Sequence, residues 1–189
     1  MNLARIVQIV NLAWVFSEVV LIVSARWNRR DALPRDRGSR TLFWCVIGAS
    51  IAAATALQAV SGAQIAIPEP WLLGVSLLLL VAGLAIRWTA ILSLGRFFST
   101  SVAIQQDHQL VRTGLYRRVR HPSYSGLLLL VIGLGLSYGN WLSLAVIVVP
   151  FLAALLYRIQ VEESSLVKAL GQDYVDYCQS TKRLLPGIY

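Results

Sequence analysis

Five apolar stretches constrain the fold of this chain more than any other feature of its sequence. They span about 3–25, 41–61, 71–94, 123–137 and 141–157. A helix of about 20 apolar residues crosses a bilayer and satisfies its own backbone hydrogen bonds there. Only 14% of the 189 residues are charged, against about 25% in soluble domains. We therefore predict one all-α, polytopic integral membrane domain with about five transmembrane helices, the last two forming a C-terminal helical hairpin.

The basic residues predict how these helices are oriented. Six arginines lie between positions 26 and 40 and five between 96 and 120, whereas the loops at 61–70 and 138–140 have no Lys or Arg. Short basic loops stay in the cytoplasm. We expect the N-terminus outside, the C-terminus in the cytoplasm and the functional site at the cytoplasmic face. A cleaved signal peptide at 1–25 would put the first arginines outside, against this rule. Membrane orientation thus accounts for the net charge of +8, and no nucleic-acid partner is expected.

Two charged residues, Glu18 and Arg87, lie inside predicted spans at matching depths. Either they form an ion pair between the first and third helices, or Arg87 snorkels alone while Glu18 faces a polar crevice. The chain has two cysteines and two histidines without a Cys-x-x-Cys pattern, so neither a disulfide framework nor a metal site is expected.

A basic, aromatic loop precedes the hairpin and ends at Arg120, His121 and Pro122. Proline in the first turn of a helix loses no hydrogen bond. The free backbone N–H groups of that turn, with Arg120 and His121, would bind an anion such as a carboxylate or a phosphate. An ordinary basic flank with a helix-start proline gives the same pattern.

A second polar segment follows the last apolar stretch. Arg158 and Glu162 are four residues apart and share a helical face, with Glu163 on the adjacent face. The glutamates would bind a cationic group, or Arg158 and Glu162 would form an ordinary surface ion pair. Because the hairpin turn is short, this segment and the basic loop should meet at one membrane face. A cofactor with both a carboxylate and a cation would bridge them.

The tail from 158 to 189 returns to a soluble composition. Leu166, Leu170, Tyr174 and Tyr177 recur in it at helical spacing, which predicts a cytoplasmic amphipathic helix that ends near Pro186.

Together these motifs resemble those of the isoprenylcysteine carboxyl methyltransferase family, including its bacterial or archaeal relatives, and they are also similar to phospholipid N-methyltransferases. The resemblance covers about 94–186. The matching residues are Leu94-Gly95-Arg96-Phe97-Phe98, Gly114-Leu115-Tyr116-Arg117, Arg120-His121-Pro122-Ser123-Tyr124-Ser125-Gly126, Arg158 with Glu162-Glu163, and Leu170-Gly171 with Tyr174, Tyr177, Thr181, Arg183 and Pro186.

The resemblance implies S-adenosylmethionine as the cofactor and methyl donor. It implies Arg158 and Glu162 as the catalytic residues, with Glu162, helped by Glu163, holding the cofactor's amino group and Arg158 facing the acceptor. The other cofactor-binding residues it implies are Leu115, Tyr116, Arg120, His121, Pro122 and Tyr124. Residues 1–94 would shape the acceptor side, and residues 95–189 would form the cofactor-binding core.

The acceptor follows from the chemistry of the transfer. A carboxylate is already ionised and needs only a cation to orient it, whereas an amine must lose a proton to a base such as Glu162 or Glu163. Arg158 favours a carboxylate on a lipophilic small molecule or a lipidated substrate, reached from the surrounding membrane lipids. The alternatives are a phospholipid (ethanolamine) N-methyltransferase, an NADPH-dependent sterol-type reductase, and a non-enzymatic scaffold or small transporter.

Overall fold

The computed structural model describes residues 2–27, 38–95 and 110–189. Within these ranges six α-helices follow one another: α1 Leu3–Trp27, α2 Gly38–Leu57, α3 Glu69–Leu94, α4 Pro122–Ser137, α5 Trp141–Leu170 and α6 Gln172–Ser180. A 3₁₀ helix, Gly114–Arg117, precedes α4. In the described ranges the remaining regular pairing is two isolated β-bridges, with no strand. Residues 28–37 of the predicted basic first loop and the motif residues Arg96-Phe97-Phe98 lie outside the described residues.

Among the described residues, three helices are long and apolar enough to cross a membrane: α1 over Leu3–Val23, α3, and α5. The apolar parts of α2 and α4, Thr41–Leu57 and Pro122–Ser137, are shorter. Large apolar side chains face outward all along these helices; Leu12, Phe16, Leu78 and Leu92 are each at least two-thirds exposed. Such a surface suits lipid rather than water. The prediction of an all-helical protein with membrane-length apolar helices is confirmed.

The helices pack as two close pairs, α3 against α4 and α2 against α5, joined by the α4–α5 hairpin. The α3–α4 contact is at backbone distance, since a Cβ added to Gly126 would lie 2.7 Å from the Gly83 carbonyl oxygen. Glycines permit this approach between membrane helices. Leu80, Leu130 and Phe151 fill the core between the pairs.

The two uncharged loops contact each other at one end of the molecule. Ile65 N donates to Gly139 O at 2.9 Å, and Trp141 N donates to Ala63 O at 2.8 Å. The side chain of Asn140 caps α5 by accepting hydrogen bonds from the first-turn amides of Leu142 and Ser143. The hairpin turn therefore lies at the same end as the α2–α3 loop, as the charge pattern predicts.

The tail differs from its prediction. The second helix of the hairpin does not end near Tyr157 but continues to Leu170, and the predicted single amphipathic helix is divided at Gly171. Gly171 has φ of 58°, which is the left-handed region that glycine adopts freely, so the helix stops there despite the apolar periodicity. α6 then ends at Ser180, before Pro186.

Candidate functional site

A phenol joins the two functional side chains that the sequence predicts on α5. The Tyr124 hydroxyl, in the first turn of α4, accepts a hydrogen bond from Arg158 Nε at 2.9 Å and donates one to Glu162 Oε2 at 2.7 Å. Arg158 is buried, and Glu162 is half-buried. The hairpin brings these three groups together because α4 begins where the second half of α5 passes it.

Two further phenols lie close to the Glu162 carboxylate. Burial raises the pKa of Tyr116, and the negative charge of Glu162 raises it further. Burial likewise raises the pKa of Tyr174, with the charges of Glu163, Cys178 and Glu162 adding to it. Both phenols are therefore neutral at physiological pH and act as hydrogen-bond donors rather than bases. Of these three phenols, Tyr124 is the one whose hydroxyl donates to the Glu162 carboxylate in the described structure.

The Tyr174 hydroxyl is a buried donor, and it has no hydrogen-bond partner of good geometry among the described residues. The residue is 2% exposed, and the thiol of Cys178, one helical turn further along α6, is its polar neighbour. Buried hydroxyl groups nearly always have a hydrogen-bond partner, and a thiol is only a weak acceptor, so this hydroxyl remains available to a ligand atom.

Glu163 faces a different set of partners from Glu162. Its Oε1 accepts from Arg120 Nε at 3.0 Å and lies 3.3 Å from His121 Nε2, while its Oε2 lies 2.8 Å from Arg183 Nη2. Both carboxylate oxygens are thus already paired with cationic groups of the chain. The two adjacent glutamates have distinct environments, which the sequence does not reveal.

At the start of α4, where the sequence predicts an anion site, a carboxylate of the protein itself lies beside the basic side chains. The amide of His121 donates to Arg183 O, and the amides of Tyr124 and Ser125 both donate to His121 O. The side chains of Arg120 and His121 contact Glu163. The backbone N–H groups of His121, Tyr124 and Ser125 are therefore occupied, and the anion that Arg120 and His121 contact is the protein's own Glu163 carboxylate.

Glu163 thereby ties down the C-terminal segment, residues 181–189. A parallel bridge pairs Val119 with Lys182, and Arg120 N donates to Lys182 O at 2.7 Å. Leu184 is buried, and its carbonyl accepts from Ser125 Oγ. The segment lies along the start of α4 and adjoins the site.

The remaining predicted residues lie on the same side of the molecule. Tyr116 is buried and its hydroxyl donates to Ala90 O at 3.4 Å, whereas Leu115 beside it is half-buried. Pro122 is buried at the first position of α4, and the rings of His121 and Tyr124 stack with centroids 5.5 Å apart. In the described part of the chain, no group of three or more His, Cys, Asp or Glu side chains could hold a metal ion.

Sequence reasoning assigned no role to three residues that the structure brings to the site: Tyr174, Tyr177 and Arg183. Tyr177 donates from its hydroxyl to Tyr116 O at 2.6 Å and so links α6 to the 3₁₀ helix. The spacing of Tyr174 and Tyr177 was the available signal, because residues three apart share a helical face.

Fold and site together define an integral membrane protein, all-helical, with a buried polar cluster where α4 and α5 meet α6. Residues 76–168 match the family model described as the isoprenylcysteine carboxyl methyltransferase (ICMT) family. The predicted resemblance to that family is confirmed over this stretch.

Individual relatives agree with the family match. The chain is 36% identical over 121 residues to protein-S-isoprenylcysteine O-methyltransferase B of Arabidopsis thaliana, covering 61% of this chain and 60% of that protein. It is 35% identical over 120 residues to protein-S-isoprenylcysteine O-methyltransferase of Tribolium castaneum, covering 62% of this chain and 43% of that protein. The chain thus spans about half of the length of these relatives.

A solved structure is also similar. It is that of the eukaryotic intramembrane Ras methyltransferase ICMT, with a TM-score of 0.56 and 31% sequence identity. The match covers 79% of this chain and 51% of that one.

Proposed function

We propose that this protein is a membrane-embedded carboxyl methyltransferase that uses S-adenosylmethionine and acts on a lipophilic acceptor of the isoprenylcysteine type. The observation that carries the proposal is the Arg158–Tyr124–Glu162 arrangement, in which one phenol connects a carboxylate to a guanidinium group. Glu162 would bind a cationic group, and Arg158, next to it, would bind a carboxylate. The names of the relatives support the same reaction.

The residues suit S-adenosylmethionine. Glu162 would hold the amino group, and the faces of Tyr116 and Tyr124 would lie against the sulfonium charge, because aromatic faces attract cations. The unsatisfied Tyr174 hydroxyl would donate to an acceptor atom of the cofactor. Leu115, Pro122, Arg120 and His121 would form the surrounding wall, and Glu163 would contribute by keeping Arg120, His121 and Arg183 in place.

When bound, the cofactor supplies a methyl group on a positively charged sulfur, open to in-line displacement. Arg158 would orient the acceptor carboxylate, which is already ionised and would need no base to remove a proton. Burial of Arg158 keeps water from competing for its hydrogen bonds. Positioning of the two reactants supplies most of the acceleration.

In the membrane, we propose five spans with the N-terminus outside and the site at the cytoplasmic face. At 1.5 Å per residue the apolar parts of α2 and α4 are about 25 Å long, slightly less than a hydrocarbon core of about 30 Å. They are covered by α5 and α3, which reduces their contact with lipid. Trp71 and Trp141, exposed in the first turns of α3 and α5, would mark the outer interface. Residues 1–94 would shape the acceptor side and residues 95–189 the cofactor side.

Calorimetric titration of the detergent-purified protein with S-adenosylhomocysteine tests the site. We expect saturable binding by the wild type, loss of detectable binding in Glu162→Ala, and wild-type affinity in Arg158→Ala together with loss of methyl transfer. Glu69→Gln, an exposed carboxylate in the first turn of α3 at the other end of the molecule, is the control and should bind normally.

Equal affinity in Glu162→Ala and the wild type would refute the assigned role of Glu162. Saturable binding of NADPH without binding of S-adenosylhomocysteine would replace the methyltransferase by a reductase. Binding of neither ligand by folded protein would refute both enzymes.

A further inference from the structure

A polar network outside the proposed site links three helices inside the apolar region. Arg87 on α3 forms an ion pair with Glu18 on α1, in which Nε contacts Oε1 and Nη2 donates to Oε2 at 2.6 Å. Trp14 Nε1 donates to Glu18 Oε1 at 3.1 Å. Glu18 and Arg87 are 4% and 6% exposed, so both charges are withdrawn from their surroundings. Of the two arrangements that the sequence allows, the structure shows the ion pair.

Stability alone is a weak reason for such a pair. Removing two charges from water is costly, and replacing a buried ion pair by apolar side chains is often neutral or stabilising. Charged residues within membrane segments usually serve a function. The other contacts of Arg87, apart from the one with Glu18, indicate what that function is.

The remaining arm of Arg87 reaches the first turn of α4. Nη1 donates to Ser123 Oγ at 3.0 Å and to Ser123 O at 3.3 Å. Ser123 immediately precedes Tyr124, whose hydroxyl joins Arg158 to Glu162. At the same level, a Cβ on Gly126 would lie 2.7 Å from the backbone nitrogen of Arg87, so no side chain separates α3 from α4 there.

Arg87 also lies near the other wall of the site. Its positive charge acts on the Tyr116 phenol, and the Tyr116 hydroxyl donates to Ala90 O, less than one turn further along α3. The segment of α3 around Arg87 therefore contacts both the 3₁₀ helix and the start of α4, from which Tyr116 and Tyr124 project.

We propose that Glu18 and Arg87 are positioning residues: the ion pair fixes the guanidinium group that holds Ser123, and so sets the place of Tyr124 between Arg158 and Glu162. This makes α1, outside the stretch that matches the family, part of the catalytic apparatus. The inference rests on the proposed function, since it concerns the geometry of the same site.

The test compares variants that separate positioning from stability. In Glu18→Leu/Arg87→Leu both charges are removed, so no buried charge is left unpaired and the protein should unfold near the wild-type temperature. We expect its kcat for methyl transfer to S-farnesylcysteine to fall at least tenfold, with the Kd for S-adenosylhomocysteine changed less than threefold. Ser123→Ala, which keeps the ion pair but loses the Oγ contact, should lower kcat by a smaller factor.

Ser76→Ala is the matched control. Like the half-buried Ser123, the buried Ser76 links α3 to α4, with its Oγ donating to Gly133 O at 2.7 Å, but it lies away from the site. Its loss should leave kcat unchanged. Wild-type kcat in the double variant, or equal losses of kcat in Ser123→Ala and Ser76→Ala, would overturn the proposal. If the double variant fails to fold, the comparison of the two serine variants decides alone.

A second readout is independent of the proposed function. Hydrogen exchange of amides 121–126 should be faster in the double variant and in Ser123→Ala, with exchange of 130–136 unchanged. Failure of the wild type to bind S-adenosylhomocysteine would refute the proposed function. Hydrogen exchange would still test whether the ion pair holds the start of α4 in place. Unchanged exchange at 121–126 would overturn the positioning role of Glu18 and Arg87 even in an active enzyme.

Discussion

At the scale of single residues, the two adjacent glutamates of α5 have different contacts and different proposed roles. Glu162 contacts the Tyr124 hydroxyl, whereas its neighbour Glu163 contacts Arg120, His121 and Arg183. The sequence predicts that a glutamate pair meets the basic loop, and it does. It does not predict which oxygen pairs with which cation, because that depends on the rotation of α5 and on where the C-terminal segment returns.

Tyr124→Phe removes only the hydroxyl that connects Arg158 and Glu162. Hydrogen bonds to charged groups contribute about 1.5–3 kcal/mol, so we expect methyl transfer to fall by about tenfold or more. Steady-state kinetics with S-adenosylmethionine and S-farnesylcysteine measure this. Tyr157→Phe, which alters an exposed tyrosine on α5, should have wild-type kinetics. Wild-type turnover in Tyr124→Phe would show that the phenol has no part in the reaction.

Tyr174→Phe and Tyr177→Phe should differ in their effect on the free energy of unfolding. In the described part of the chain the Tyr174 hydroxyl has no partner of good geometry, so its loss should leave the free energy of unfolding unchanged or raise it, while the affinity for S-adenosylhomocysteine falls. The Tyr177 hydroxyl donates to Tyr116 O, so its loss should cost about 1 kcal/mol of stability. Thermal unfolding and calorimetry measure both. Unaltered affinity in Tyr174→Phe would mean that this hydroxyl does not meet the ligand.

At the scale of elements, the sequence predicts the five apolar helices, but it does not predict where the last of them ends. Apolar length and loop charge are local properties, so α1 to α5 follow from them. The end of α5 was placed thirteen residues too early because its second half is polar on one face and resembles a separate tail. The division at Gly171 depends on a backbone conformation that the apolar spacing does not report.

The α3–α4 crossing predicts unequal effects of two alanine substitutions. Gly126→Ala would place a methyl group 2.7 Å from backbone atoms of both Gly83 and Arg87, and overpacking of this kind costs about 1–3 kcal/mol. Gly74→Ala, in α3, meets nothing within 4 Å and should be neutral or stabilising. Thermal unfolding in detergent compares the two. Equal stability would mean that the helices do not cross at Gly126.

The C-terminal segment predicts unequal effects of two neighbouring basic residues. Arg183 contacts Glu163 and the Tyr189 hydroxyl, whereas the Lys182 side chain is exposed. Arg183→Ala should therefore speed proteolytic removal of residues 181–189, and Lys182→Ala should not. Timed digestion followed by mass spectrometry gives the rates. Equal rates would contradict the ion pair as the tie that holds the segment.

At the scale of the whole molecule, the proposed orientation in the membrane rests on two observations. The basic residues are concentrated in alternate loops, and the α2–α3 loop contacts the hairpin turn at the opposite end. In a Cys45→Ser/Cys178→Ser background, a membrane-impermeant maleimide should label Ser61→Cys in intact cells. Lys182→Cys should react only after permeabilisation. Both positions are exposed, so access depends on the side of the membrane. The reverse pattern would invert the proposed topology.

The central claim is that the Glu162 site supports methyl transfer to a lipophilic carboxylate. The most direct measurement is transfer of a radiolabelled methyl group from S-adenosylmethionine to S-farnesylcysteine by the purified protein in lipid nanodiscs. We predict a base-labile methyl ester from the wild type and from Glu69→Gln, and none from Glu162→Ala or Arg158→Ala. No transfer by folded wild-type protein to S-farnesylcysteine, or equal transfer by Glu162→Ala, would contradict the account.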